Sequence, residues 1–427
     1  MRRRLQRNPA MKLSLASGIL LAMATISLRA ADINVQALAR EPGVTRASDW
    51  LAHNLAWITD QQIHLNEIPA PEFSETERGI ALRKLFDASG LKTRVDGLGN
   101  VIGERPGTHH DDVILLAAHL DTVFPAGTDV RVKRNGARLE APGIADNGAG
   151  LAALVAIARA LEEGHVRTGM TLVFAGDVGE EGEGNLRGIR ALVETYRSRL
   201  RAVIAVDGAA TDYVTTQGLA SRRIEAFVTG PGGHSWSDFG APNPITALSR
   251  GIVKFSGISV PDMPRTSFNF GVIEGGTSVN SIPNRAAVKV DLRSEDDSQL
   301  VRLEAALHDA IQSGVNDEMA AAQRGTGSLE PGFRSLGVRP SGKLAENSEL
   351  LAAITSVDAY LNNPSRRERS STDANVPLSM GIPAIAIGGG GLGGGSHSLD
   401  EWYDSTDRLV GLKRILLTTL LIARTTS

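Results

Sequence analysis

VILLAAHLDTVFPAG, residues 113–127, carries an apolar run straight into a histidine, an aspartate and a turn. A short, continuous apolar run fits a strand covered on both faces, as in a parallel sheet. Residues 171–175, 202–206 and 384–387 read the same way. Between and after them, residues 148–161, 190–200 and 409–423 have helical texture. Alternating strand and helix predicts an α/β domain with a largely parallel central sheet. Upstream, Ser74 and Glu77 are spaced as a capping box opening a helix through Phe86 that Gly90 closes.

The texture changes in the middle of the chain. Residues 222–229, 266–272 and 286–293 read as strands, and residues 244–255 and 298–322 as helices. Strand–helix–strand–strand–helix in this compass predicts a small α+β sandwich inserted into the larger domain. The one low-complexity piece is the glycine run at 388–395, broken by Leu392.

Composition narrows the chemistry. A chain of 427 residues is long enough for two or three domains. Lys plus Arg is 45 against 48 Asp plus Glu, a net charge of −3, with 10 Phe, 4 Tyr and 4 Trp. That balance carries no electrostatic footprint for nucleic acid and offers few stacking platforms. Cysteine is absent, which excludes disulfides, iron–sulfur clusters, thiolate zinc sites and a cysteine nucleophile. At the N-terminus Arg2, Arg3, Arg4, Arg7 and Lys12 precede an apolar stretch, residues 13–28, followed by Ala30 and Ala31. This pattern predicts a secretory signal peptide, a mature start near Ala31 or Asp32, and a periplasmic or secreted protein with no lasting membrane association. A single uncleaved anchor is the alternative, although 16 mixed residues are short for a span. Translation from Met11 would give a shorter signal.

In open α/β sheets, ligands bind beyond the carboxyl ends of the strands. His119 and Asp121 follow the first apolar run, Asp146 precedes the next helix, Glu180 and Glu181 follow 171–175, Asp207 follows 202–206, and His397 comes after 384–387 and the glycine run. Singly, each has an ordinary reading as a helix cap or surface group. Together, at equivalent ends of one sheet, they point to a catalytic site for zinc or a similar divalent ion held by nitrogen and oxygen donors. With so many carboxylates, two metals sharing a bridging acid also fit. The His-x-Asp spacing suits a carboxylate that holds a ligand histidine in its tautomer.

The succession HLDTV, GIADNGAG, GEEGEGNLRG, VDG, GPGGHS, GGTSVNSIPN and GSHSLDEW, spanning residues 119–402, resembles the zinc metallopeptidase family of aminoacylase, peptidase T, succinyl-diaminopimelate desuccinylase and carboxypeptidase G. The resemblance implies a three-layer α/β catalytic domain of the zinc-exopeptidase kind in two parts, 31–216 and 337–427. Between them, 217–336 would be a ferredoxin-like α+β domain serving as lid and dimerisation element. It implies two zinc ions per subunit, with cobalt or manganese as substitutes. His119 and Glu181 would be terminal ligands, Asp146 the bridge, and Asp207 and His397 the remaining ligands, with Asp121 orienting His119. Glu180 would be the general base, acting on a metal-bridging water and passing its proton to the leaving amine. The Asp146–Asn147 peptide would be cis. His234 would stabilise the oxyanion from the partner subunit of a homodimer, while Asn280, Arg293 and Arg339 would hold the substrate, Arg339 through its carboxylate. One departure is Asp207, where the family uses either aspartate or glutamate.

Other motifs compete less well. GVRPSGKL, residues 337–344, matches a phosphate-binding loop until Leu344 replaces the Ser or Thr that binds magnesium. The glycine run fits a dinucleotide string but is followed by no clear helix. His109 and His110 fall in a polar loop, and His53, His64, His165 and His308 are given no role. The expected activity is hydrolysis of peptide or amide bonds in small peptides. An N-acyl amino acid deacylase and a catalytically silent binding protein are the alternatives, and the retained Glu180 argues against the last.

Overall fold

The computed structural model describes residues 34–323 and 327–423. The expected signal sequence, residues 1–30, lies outside them. In chain order the strands that matter are β1 (Lys92–Val95), β2 (Val101–Arg105), β3 (His109–His119), β4 (Met170–Asp177), β5 (Leu200–Val206), β6 (Tyr213–Gly218), β7 (Ala220–Thr229), β8 (Thr266–Gly275), β9 (Arg285–Ser294), β10 (Glu330–Arg339), β11 (Arg366–Ser370) and β12 (Ala384–Ile387).

The large sheet runs β1–β2–β4–β3–β5–β12–β6, with β11 and the short strand Gly342–Lys343 both on β6. β4, β3, β5 and β12 are mutually parallel, while β2 and β6 flank them antiparallel. These four strands are the apolar runs of the sequence, and their middles are buried. Register brings their carboxyl ends level: His119 pairs with Asp177, and Val206 with Ile387. The helix Gly148–Glu163 is apolar nearly all round, because it packs on the sheet and is itself covered by the helices Pro42–His53 and Leu55–Asn66.

The second sheet runs β8–β9–β7–β10, antiparallel throughout. The helices Pro244–Ser256 and Asp297–Ala321 cover one face of it, burying Leu248, Phe255, Leu307 and Ile311 against Val228, Val288 and Leu292. Phe255, Phe268 and Phe270 meet edge to face in this core. The order is that of a ferredoxin-like sandwich.

Several local expectations fail for physical reasons. β10 escapes the sequence pattern because it carries Pro331, Gly332 and Gly337 and a bulge after Ser335; proline and bulges belong on an edge strand such as this. The small sheet therefore extends through Arg339. No capping box forms: the helix starts at Thr76 with Glu75 at its N-cap and no side-chain cap bond. Instead, Glu75 accepts from the Phe73 amide and pairs with Arg187. His109 and His110 open β3 rather than lying in a loop. The 337–344 segment ends β10 and pairs Gly342 and Lys343 with β6. No phosphate-loop helix follows. Among the described residues no helix is long and apolar enough to cross a membrane.

Candidate metal centre and active site

Five side chains converge beyond β3, β4, β5 and β12. His119, 1% exposed, ends β3. Its Nε2 lies 3.1 Å from Asp146 Oδ1 and 3.6 Å from Asp207 Oδ1. The other carboxylate oxygen of Asp146 is 3.4 Å from His397 Nε2, which is 2.9 Å from Glu181 Oε1. Asp146 thus stands between two imidazoles, one on each oxygen. One ligand atom from each of His119, Asp146 and Glu181 lies within 4.8 Å of the others.

The loops holding these groups are tightly specified. Asn147 caps the helix that follows: its side chain accepts from the Gly150 and Gly208 amides and donates to the Val206 carbonyl. One amide thereby ties the Asp146 loop to the end of β5 and to Asp207. Only glycine fits at 150, because a Cβ there would sit 2.3 Å from the Val206 carbonyl oxygen. The Asp146–Asn147 bond is cis. Glu401, fully buried, accepts from the amides of Gly143, Ala145 and Asp146 at 2.7–2.8 Å. Burial pushes its carboxyl up to about 7.

Asp121 has a different contact from the one expected. Its carboxylate is 3.8 Å from His119 Nδ1, too far for a hydrogen bond, and accepts instead from the Glu180 and Glu181 amides at 3.1 and 2.8 Å. The His119 Nδ1–H donates to the Asp121 backbone carbonyl at 3.0 Å, which leaves Nε2 as the electron-pair donor. One residue thereby orients the histidine through its main chain and both glutamates through its side chain.

Glu180 points differently from Glu181. Its Oε1 accepts from Arg339 Nη1 at 2.8 Å, and its backbone carbonyl accepts from Nη2. Arg339, 3% exposed, also donates to Ser371 Oγ. Arg339 lines the same cavity as the acidic cluster, and its guanidinium is held there by Glu180 and Ser371, with Nε left without an acceptor among the described residues.

The electrostatics of the cluster suit a bound cation. Burial pulls the His119 imidazole down, but Asp146 and Asp207 outweigh it and hold it well above its ordinary value. Asp146 and Glu181 raise His397 to about 10, and burial pushes Glu181 up to about 7. Three buried or half-buried carboxylates and two imidazoles need positive charge among them. The donor set, two nitrogens and three carboxylates with no thiolate, fits a divalent cation.

Behind the cluster lies a pair the sequence reading missed. Asp177, ending β4, and Asp373 are both buried and adjacent. Among the described residues no other group donates to either Asp177 oxygen, so the two can bond only if one is protonated. Burial pushes Asp177 up to about 7, with the charges of Asp121 and Glu180 adding to it. Asp373 is raised by its burial and by Asp177. A folded value above the unfolded one, ~3.9, means the fold retains a proton that the unfolded chain releases. Stability should therefore fall as pH rises from about 4 to 7. Asp177→Asn should raise the melting temperature of the metal-free protein at pH 8 and change it little at pH 4. Equal effects at both pH values would contradict the shared proton.

A cavity of about 530 Å3 is lined by Asp146, Glu180, Glu181, Asp207 and His397 on one side and by Arg223 and Arg293 on the other. Arg293 is half-exposed, with its Nε on Asp291 Oδ2 at 2.7 Å. His234 and Asn280 do not line it. Both lie exposed in the small domain: His234 pairs with Ser281 in a two-strand ladder, and Asn280 sits in the turn just before it, where the Ser235 amide donates to the Asn280 carbonyl. His234 Nδ1 accepts from the Trp236 and Ser237 amides, so the neutral ring carries its proton on Nε2.

The sequence pattern of Peptidase family M20/M25/M40 matches residues 115–421. An uncharacterized Bacillus subtilis protein, YqjE, is 24% identical over 77% of this chain and 89% of its own. A putative succinyl-diaminopimelate desuccinylase of Mycobacterium tuberculosis is 25% identical over 76% of this chain and 88% of its own. Among solved structures, the aminopeptidase PepT of Bacillus cereus superposes with a TM-score of 0.65 at 20% identity, covering 87% of this chain and 99% of that one. The Saccharomyces cerevisiae di-peptidase Dug1p gives 0.71 at 12% identity, over 91% and 100%.

Proposed function

The chain belongs to peptidase family M20/M25/M40, a hydrolase family, and from that premise we propose that it is a co-catalytic di-zinc exopeptidase acting on small peptides. The observation that carries the reading is Asp146, whose two oxygens face His119 and His397 separately. His119, Asp146, Glu181, Asp207 and His397 would hold the two ions, with Asp146 between them. Bound there, the cations would polarise the scissile carbonyl and acidify the attacking water.

The chain's own groups do the rest. Glu180 touches neither histidine and is free to take a proton from the water and deliver it to the leaving amine. Arg339 and the Asp121-anchored amide fix its position. Arg223 and Arg293, across the cavity, hold the substrate's far end. His234 and Asn280 lie outside this cavity, which supports their delivery by the small domain of a second copy, with His234 Nε2–H donating to the oxyanion. The basic, apolar and small-residue succession at 1–31 supports export; the mass of the mature protein should place its start near Ala31, and a retained Met1 or Met11 would contradict this.

A second reading, N-acyl amino acid deacylation, is supported by the name of the Mycobacterium tuberculosis relative. Assaying the purified protein with dipeptides, tripeptides and N-acyl amino acids separates the two. Release of amino acids from unblocked peptides is expected. Release from N-acyl substrates alone would favour the second reading, and no release from any would refute both.

A further inference from the structure

A larger cavity, about 820 Å3, adjoins the first, sharing Arg293, Glu368, Ser370 and Ser371 with it. One wall is the face of the small sheet turned away from its helices. Ser267 on β8 lies opposite Arg293 on β9, and the backbone bond from Glu295 to Arg265 extends the pairing by one more rung. Side chains alternate along a strand, so Arg265, Ser267, Arg293 and Glu295 share this face, while Thr266 and Ser294 are buried on the other and bond each other. The opposite wall is the edge of the large sheet, with Gln217 on β6, Arg369 on β11 and Lys343.

The charges of this cavity do not cancel. Five cationic side chains, Arg265, Arg293, Lys343, Arg367 and Arg369, face three glutamates. Each glutamate is already engaged: Glu346 by Arg367 and Lys343, Glu295 by Arg369, and Glu368 by Arg366. Arg265 has no carboxylate within ion-pair distance of its guanidinium among the described residues, and Arg293 has only Asp291, on its own strand, bound through Nε. On this sheet face Arg265 is thus left without a carboxylate, and Arg293 is held only through Nε, beside the cavity that holds the acidic cluster.

We propose that this second cavity is a subsite for a carboxylate carried by the substrate away from the scissile bond, with Arg265 as the residue that discriminates. The inference rests on reading the smaller cavity as the active site. It narrows the substrate class to peptides bearing an acidic residue beyond the bond that is cut. A guanidinium pairs with a carboxylate in a planar, two-pronged geometry that an amide of the same shape cannot match.

Calorimetric binding tests it without requiring turnover. The probes are Ala-Ala-Glu and Glu-Ala-Ala, each against its glutamine counterpart, measured on the Glu180→Gln protein with and without Arg265→Gln. At least one acidic peptide should bind ten-fold or more tightly than its glutamine counterpart, and Arg265→Gln should erase that ratio. Arg265→Glu should transfer the preference to the lysine counterpart. Kinetics of the Arg265→Gln protein on Ala-Ala should match those of the parent, since a neutral dipeptide does not reach this subsite. Equal binding of the glutamate and glutamine peptides, or a preference that survives Arg265→Gln, would overturn the proposal. A glutamate preference in a protein that hydrolyses no peptide would sink the peptidase reading and keep the subsite.

Discussion

Glu180→Gln should lower turnover by roughly a hundred- to ten-thousand-fold, the usual loss when a general base is removed, while folding and metal content stay intact. The reason is positional. Glu180 sits at the cluster, 4% exposed, yet its carboxylate is held by Arg339 rather than by either histidine. A glutamine keeps the shape and can still accept from Arg339, but it cannot take a proton. Asp146→Ala is the contrasting variant: it removes the carboxylate that faces both His119 and His397, so metal content should fall together with activity. Turnover together with metal stoichiometry by mass spectrometry separates the two cases. A Glu180→Gln protein within a few-fold of the parent would mean that another group is the base.

The second large effect is expected at His234. Removing one oxyanion donor costs roughly a hundred- to thousand-fold in rate, and His234→Ala should lose that much, although it touches none of the cluster residues. Because the side chain lies exposed on the small domain with Nε2 as its donor, the loss should be recoverable in trans. Mixed with Glu180→Gln, a chain impaired at a different group, it should regain activity, since one site of a heterodimer would combine an intact Glu180 with the partner copy's His234. No recovery after demonstrated subunit exchange would place His234 in cis or outside the mechanism.

Much of the cluster was legible because buried parallel strands announce themselves as apolar runs, and their ends can be read off directly. His119, Asp146, Glu181, Asp207 and His397 come together for that reason. What escaped notice depended on distant partners. Glu401 is an ordinary acid in SLDEW until the fold brings it to three amides at 143–146. Asp177 looks like a strand-end cap until Asp373 arrives beside it. The pairing of Arg339 with Glu180 was hidden because the edge strand carrying Arg339, broken by Pro331 and two glycines, gave no strand signal. Asp121 shows a subtler limit: the spacing to His119 was informative, but whether main chain or side chain made the contact was decided by the turn at 180–181.

Chelation of the purified protein, followed by metal titration during peptide hydrolysis, tests the central claim most directly. Activity should vanish on chelation and return with zinc or cobalt, reaching its maximum as two ions bind per chain. Full peptidase activity after complete metal removal, or with at most one ion bound, would contradict the account.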